Sequence, residues 1–131
     1  MSKNSPPTIL VVDDEALIRW SLVEMLTDRG YTVTEAVNGR NALAAIAGAG
    51  NPFDVVLLDY RLPDSADLRL LEKVRSLAPT AQVIMITAHN SPELAIGAEA
   101  LGAYRVISKP FEVESLAALV NEALDESSHL H

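Results

Sequence analysis

Ile9-Leu10-Val11-Val12-Asp13-Asp14-Glu15 is an unbroken apolar run that ends on three consecutive acids. A strand covered on both faces is apolar at every position, whereas a half-solvated strand alternates. The run therefore reads as a buried parallel strand whose carboxyl end delivers charge. The same grammar recurs along the chain: Val55 to Leu58 stops at Asp59, Gln82 to Ile86 stops at Thr87, and Tyr104 to Ile107 is followed by Lys109-Pro110-Phe111. Thr32 to Ala36 alternates instead and reads as an edge strand.

Helical periodicity fills the gaps. Leu22, Met25, Leu26 and Arg29 form one repeat closed by Gly30, and Ala42, Leu43 and Ile46 another closed by Gly48. Leu68, Leu71 and Val74 mark a third helix with Pro79 beyond it. Ser91-Pro92-Glu93 combines an N-cap, a first-turn proline and an early acid, and opens a fourth helix running to about Leu101-Gly102. Leu116, Leu119, Val120, Ala123 and Leu124 give a fifth its apolar stripe. Five strand-helix units make an α/β class. Right-handed crossovers leave few arrangements of five parallel strands, and the order 2-1-3-4-5 places the least apolar strand at an edge. The expectation is a flavodoxin-like (βα)5 three-layer sandwich.

A length of 131 residues holds about one domain, expected over 8–126, with a disordered amino-terminal tail (1–7) and a polar carboxyl-terminal tail (127–131). No second catalytic domain is expected within these 131 residues. The net charge of −8 argues against direct binding to nucleic acid, where clustered positive charge is needed. Cysteine is absent, which removes disulfides, thiolate metal sites and a cysteine nucleophile. MSKNSPPT lacks the apolar core of a signal peptide, and no run reaches the roughly 18 apolar residues of a membrane span, so a soluble, cytoplasmic protein without a membrane partner is expected.

If the first and third strands are neighbours, Asp13, Asp14 and Asp59 share one pocket at the carboxyl ends of the sheet. At about 4.5 Å and an effective dielectric of about 20, each like-charged pair costs on the order of 4 kcal/mol. A hard divalent cation offsets such repulsion, and Mg²⁺ accepts one or two carboxylates while keeping sites for a phosphate ligand. The competing reading is that Asp13 or Asp14 only caps the first helix. Lys109 is one of three lysines, with Lys3 and Lys73, and stands between a strand end and a proline, where its ammonium balances the acids and binds an anion. The Thr87 hydroxyl can donate to a phosphoryl oxygen, and Ala88 beside it leaves room for that group. Taken singly, Thr87 is an ordinary strand residue and Lys109 a solvated cation; their joint placement favours a site.

Asp13-Asp14, Asp59, Thr87 and Lys109-Pro110-Phe111, in this order, resemble the receiver domain of bacterial two-component response regulators. The resemblance covers residues 8 to 126. The segment Pro63-Asp64-Ser65-Ala66-Asp67-Leu68, with Arg19-Trp20-Ser21-Leu22, is similar to receivers attached to sigma-54-dependent, NtrC-like activators. The resemblance implies a phosphoacceptor switch that assists its own phosphorylation and dephosphorylation rather than a turnover enzyme. Asp59 would attack the phosphohistidine of a histidine kinase, with Lys109 and Mg²⁺ neutralising charge. Asp14 and Asp59 would bind the metal through carboxylates, Arg61 through its backbone carbonyl and Asp13 through water. Thr87 would move toward the phosphoryl group, and the Lys109-Pro110 bond would be cis.

Two departures follow from the same comparison. The family's switch aromatic would stand at Val106; Tyr104, two residues earlier, is placed on the same face by strand alternation and offers either a substitute or packing. The family's common glycine is Asp67, read here as a cap for the third helix. Arg61 and His89, each two residues beyond a site residue, either set the phosphoryl lifetime or are plain loop side chains. The expected output is a change in the surface of the fourth helix, fifth strand and fifth helix, including Ile96, Arg105 and Val106, that engages an attached or separate output domain or a second copy, with transcription as its target. The alternatives are a stand-alone receiver, a docking scaffold independent of phosphorylation, and an aspartyl-nucleophile phosphatase, although Arg61 has the wrong charge for the phosphatase's second acid. His129 and His131 receive no role.

Overall fold

The strand-helix alternation closes into one parallel sheet. In a computed structural model that describes residues 5–49 and 52–129, the elements are β1 (Thr8–Val12), α1 (Ala16–Asp28), β2 (Thr32–Ala36), α2 (Gly39–Gly48), β3 (Val55–Asp59), α3 (Arg69–Leu77), β4 (Gln82–Thr87), α4 (Pro92–Ala100), β5 (Ala103–Ser108) and α5 (Val113–His129). The strand order is β2-β1-β3-β4-β5, and every pairing is parallel. β2, the alternating segment, is at the edge with a largely exposed or half-buried pattern, whereas β3 is buried throughout.

Alternation along the central strands divides the core in two. Leu10, Val12, Val56, Leu58, Val83 and Met85 face one side, where Ala42 of α2, Leu71 and Val74 of α3 and Ala98 of α4 meet them. Ile9, Val11, Val55, Leu57, Ile84 and Ile86 face the other, against Leu22 and Leu26 of α1 and Leu116, Val120 and Ala123 of α5. Helices on both faces leave only the strand ends open for chemistry.

Three local expectations change. Asp13 and Asp14 do not cap α1: its N-cap is Glu15, with no side-chain cap, and the Asp13 carboxylate instead accepts the Glu15 backbone N–H at 2.8 Å. The polar end of the chain continues α5 to His129, and Pro7, assigned to the amino-terminal tail, accepts the Thr32 N–H through its carbonyl at 2.9 Å. Residues 1–4 of that tail, and His131, lie outside the described residues. Asp67, the residue in place of glycine, keeps an ordinary backbone and accepts the Arg69 N–H at 3.0 Å, but the N-cap of α3 is Leu68, with no side-chain cap, so Asp67 stands one residue before the cap it was expected to form.

Asp64 ties the β3–α3 loop to α2. Its carboxylate accepts the backbone N–H groups of Gly39 at 2.8 Å and Arg40 at 3.0 Å, across 25 and 24 residues of sequence. These bonds to the first turn of α2 hold the Asp64 carboxyl below its ordinary value. Loss of the carboxylate in Asp64→Ala is expected to lower stability by about 1 kcal/mol, as for a lost N-cap. Because the folded-state value is depressed, this contribution is complete above the unfolded value of 3.8 and disappears as pH falls through the lower, folded one. Urea melts of the two proteins should therefore differ at pH 7 and converge in strong acid.

Candidate functional site

The carboxyl ends of β1, β3, β4 and β5 bring Asp13, Asp14, Asp59, Thr87 and Lys109 together from four separate parts of the chain. Asp13 follows β1, Asp59 and Thr87 are the last residues of β3 and β4, and Lys109 follows β5. Asp13, Asp59 and Thr87 are the three buried polar or charged residues of the described chain. Oxygen atoms of Asp13, Asp14 and Asp59 lie within 4.8 Å of one another, and Asp14 is exposed at the mouth.

Lys109 reaches into this group. Its Nζ stands 3.0 Å from Asp59 Oδ2, 3.4 Å from Asp13 Oδ2 and 2.6 Å from Glu15 Oε1. Its backbone N–H donates to the Thr87 carbonyl at 2.7 Å, so strand pairing itself aims the side chain. The Arg61 N–H donates to Asp59 Oδ1 at 3.3 Å, and the Thr87 hydroxyl oxygen accepts the His89 N–H at 3.1 Å.

Burial sets the electrostatics. It pushes the Asp13 carboxyl up to about 6, with the charge of Asp59 adding to the rise and the Glu15 N–H and Lys109 opposing it. Burial also raises Asp59, against the hydrogen bond and charge of Lys109. For Lys109, burial acts downward, yet hydrogen bonds to Glu15 and Asp59 and the charges of Asp13 and Asp59 outweigh it and hold the ammonium above its ordinary value. The site thus carries more negative charge than one lysine neutralises. Asp13 Oδ2 is buried and makes no hydrogen bond. An orphaned buried oxygen within an all-oxygen donor set suits a hard divalent cation such as Mg²⁺.

A cleft of about 940 Å³ opens over the acids. Asp14, Glu15, Asp59, Arg61, Thr87, His89 and Lys109 line its polar part, and Leu17, Ile18, Pro110 and Phe111 one apolar wall. The sequence-derived family model of the response regulator receiver domain matches residues 9–121, the whole of this constellation. The chain belongs to the response regulator receiver domain family.

The DNA-binding transcriptional regulator NtrC of Salmonella typhimurium is 39% identical to this receiver over 116 residues, which is 88% of this chain and 24% of the relative. The regulatory protein AtoC of Escherichia coli is 36% identical over 129 residues, 94% of this chain and 28% of the relative. The receiver spans about a quarter of the length of these relatives, and NtrC relatives at such identities place it among receivers of NtrC-like activators. A CheY-like receiver domain protein from Methanospirillum hungatei superposes with a TM-score of 0.90 at 34% identity, over 97% of this chain and 100% of that one. The receiver domain of NtrX from Brucella abortus gives 0.79 at 37% identity, over 89% and 98%. No helix among the described residues is long and apolar enough to cross a membrane.

The receiver's Lys109-Pro110 bond is cis, as the resemblance implied. Its Tyr104, in contrast, is on the opposite face from Val106. A register shift opposite Val83 and Ile84 inserts one extra residue into β5, because Val83 pairs with Ala103 but Ile84 with Arg105. The bulge breaks the period of two. Val106 accordingly packs toward α4, with Leu101 and Ala98, whereas Tyr104 packs among the α1 and α5 residues. The Tyr104 hydroxyl donates to Glu122 of α5 at 3.2 Å, and the Arg105 guanidinium covers the ring at 4.6 Å. Arg61 and His89 are exposed at the rim of the cleft, and Ile96 is 69% exposed on α4.

Two residues that support the site gave no distinct signal in the sequence. Arg19 donates through Nη1 to the Asp13 carbonyl at 2.8 Å while its Nε pairs with Glu35 of β2 at 2.9 Å, which anchors the loop that carries the acids. Glu15 was visible only as the third acid in a row, and its contact with Lys109 spans 94 residues.

Proposed function

We propose that this receiver is a phosphoacceptor switch in which Asp59 takes the phosphoryl group from a phosphohistidine of a histidine kinase. The supporting observation is the position of Asp59: buried at the floor of the cleft, 3.0 Å from the Lys109 ammonium and grouped with Asp13 and Asp14. An Asp59 carboxylate oxygen forms the new bond to phosphorus as the phosphorus–nitrogen bond breaks, and the electron pair leaves with the donor imidazole. Lys109 neutralises the transferring oxygens from one side. Asp14 and Asp59 would hold Mg²⁺ through carboxylates, Arg61 through its carbonyl and Asp13 through water, and the ion when bound supplies charge neutralisation that the lysine alone does not complete. The Thr87 hydroxyl, which now accepts from the His89 backbone, donates to a phosphoryl oxygen.

That rearrangement alters β4 and the half-buried Val106, and through them the surface of α4, β5 and α5, which controls an output domain or a second copy of the receiver. Transcription is the target by analogy with the NtrC and AtoC relatives. Tyr104, held by Glu122 and Arg105, takes no part in the Thr87 movement. Incubation with acetyl phosphate should give one acid-labile phosphate per chain in the presence of Mg²⁺ and none with EDTA. Labelling that ignores EDTA would refute the reading.

Arg61 and His89 shield the phosphoryl group from attacking water at the rim. The double variant Arg61→Ala, His89→Ala is expected to shorten the phosphoryl half-life roughly threefold, since water is then excluded less well. An unchanged half-life in a filter-binding decay assay would leave them as loop side chains.

A further inference from the structure

The Lys109 ammonium has three N–H donors, and three carboxylates compete for them. Glu15 Oε1 at 2.6 Å and Asp59 Oδ2 at 3.0 Å each accept one, and Asp13 Oδ2 stands 3.4 Å away without a hydrogen bond. A phosphoryl group arriving on Asp59 brings several oxygens that seek this same ammonium, which puts them in competition with the carboxylates already around it. The three are not equivalent. The Asp13 and Asp59 side chains are 1% and 5% exposed and fixed by strand ends, whereas that of Glu15 is 55% exposed at the start of α1. An exposed side chain regains water and rotamer freedom when it lets go.

We propose that Glu15 is a positioning residue of the phosphorylation reaction, a displaceable counter-ligand that occupies Lys109 until a phosphoryl group takes its place. It competes with the anionic donor twice, by sequestering the ammonium and by repelling the incoming charge at the mouth of the cleft. The proposal rests on the assignment of Asp59 as acceptor. Because Glu15 departs before transfer, it affects capture of the donor rather than the chemical step.

The test is the rate of phosphorylation by acetyl phosphate at saturating Mg²⁺, followed across donor concentrations, together with the affinity for beryllofluoride read by ¹⁹F NMR. Glu15→Gln is expected to lower the half-saturating acetyl phosphate concentration roughly three- to fivefold, the scale of one partly exposed ion pair, with the saturating rate unchanged. Beryllofluoride should bind more tightly by the same factor. Glu24→Gln, which removes a charge from the exposed face of α1 without contacting Lys109, is the control and should behave as wild type. A Glu15→Gln protein with unchanged or weaker donor capture, or an equal gain in Glu24→Gln, would overturn the proposal while wild-type labelling leaves the Asp59 assignment standing. Absence of labelling in the wild type would fell that assignment instead.

Discussion

Asp59→Asn should lose phosphorylation by acetyl phosphate by at least about a hundredfold and become more stable in metal-free buffer. The first effect follows from the chemistry: an amide oxygen is a far poorer nucleophile than a carboxylate and cannot form the acyl phosphate. The second follows from the environment. Burial holds the Asp59 carboxyl above its ordinary value despite the hydrogen bond from Lys109, so the folded protein disfavours the charged form. Asn has nearly the same shape without the charge, and Lys109 retains Glu15 and Asp13 as partners. The gain should be on the order of 1 kcal/mol, a like-charge repulsion reduced by the lost attraction to lysine. Added Mg²⁺ should then reverse the ranking, because at ten times its dissociation constant a ligand adds about 1.4 kcal/mol to the protein that binds it. Paired thermal melts with and without Mg²⁺ check this. A variant that is less stable without metal would mean that the acid cluster is not strained.

Lys109→Met should be the most destabilising single change in the site. The lysine side chain is 13% exposed and is the cation nearest to two carboxylates that are almost fully buried. Removing one partner of a buried ion pair typically costs about 3–5 kcal/mol, which for a domain of this size is a fall in Tm of roughly 10 °C or more. The sign with pH is fixed by the remaining acids. Without the ammonium, Asp13 and Asp59 rise further above their ordinary values, and a carboxyl raised on folding penalises the folded state increasingly as pH climbs from the unfolded value to the raised one, above which the penalty is complete. In wild type, burial already pushes the Asp13 carboxyl up to about 6. The deficit should therefore be larger at pH 8 than at pH 5, and Mg²⁺ should reduce it at pH 8. Phosphoryl transfer should fall along with stability. Equal melting temperatures at pH 8 would contradict a compensating role for Lys109.

The sheet was legible because β1, β3 and β4 are short, almost wholly apolar runs that stop at an acid or a hydroxyl, whereas β2 alternates as an edge strand does. The runs Ile9 to Val12 and Val55 to Leu58 gave away both the covered strands and the edge to which Asp13, Asp14 and Asp59 are delivered, and the family match spans that whole array. Helix ends were read where cap chemistry is local, as at Ser91, whose hydroxyl oxygen accepts the Leu94 N–H at 3.1 Å. What failed depended on contacts between distant segments. The bulge in β5 arises from its pairing with β4, and it moved Tyr104 to the face opposite Val106. α5 runs on through polar residues that carry no apolar period, so the pattern ended before the helix did. Asp64 on α2, Arg19 on the Asp13 carbonyl and Glu15 on Lys109 are long-range or geometric pairings that no spacing announces.

The most direct trial is chemical. The wild-type receiver is loaded from acetyl phosphate with Mg²⁺, the acyl phosphate is reduced with borohydride, and the modified residue is located by mass spectrometry. The structure predicts homoserine at position 59 alone, lost in Asp59→Asn. Homoserine at position 13 or 14, or a phosphate that survives acid and resists borohydride, would contradict the account.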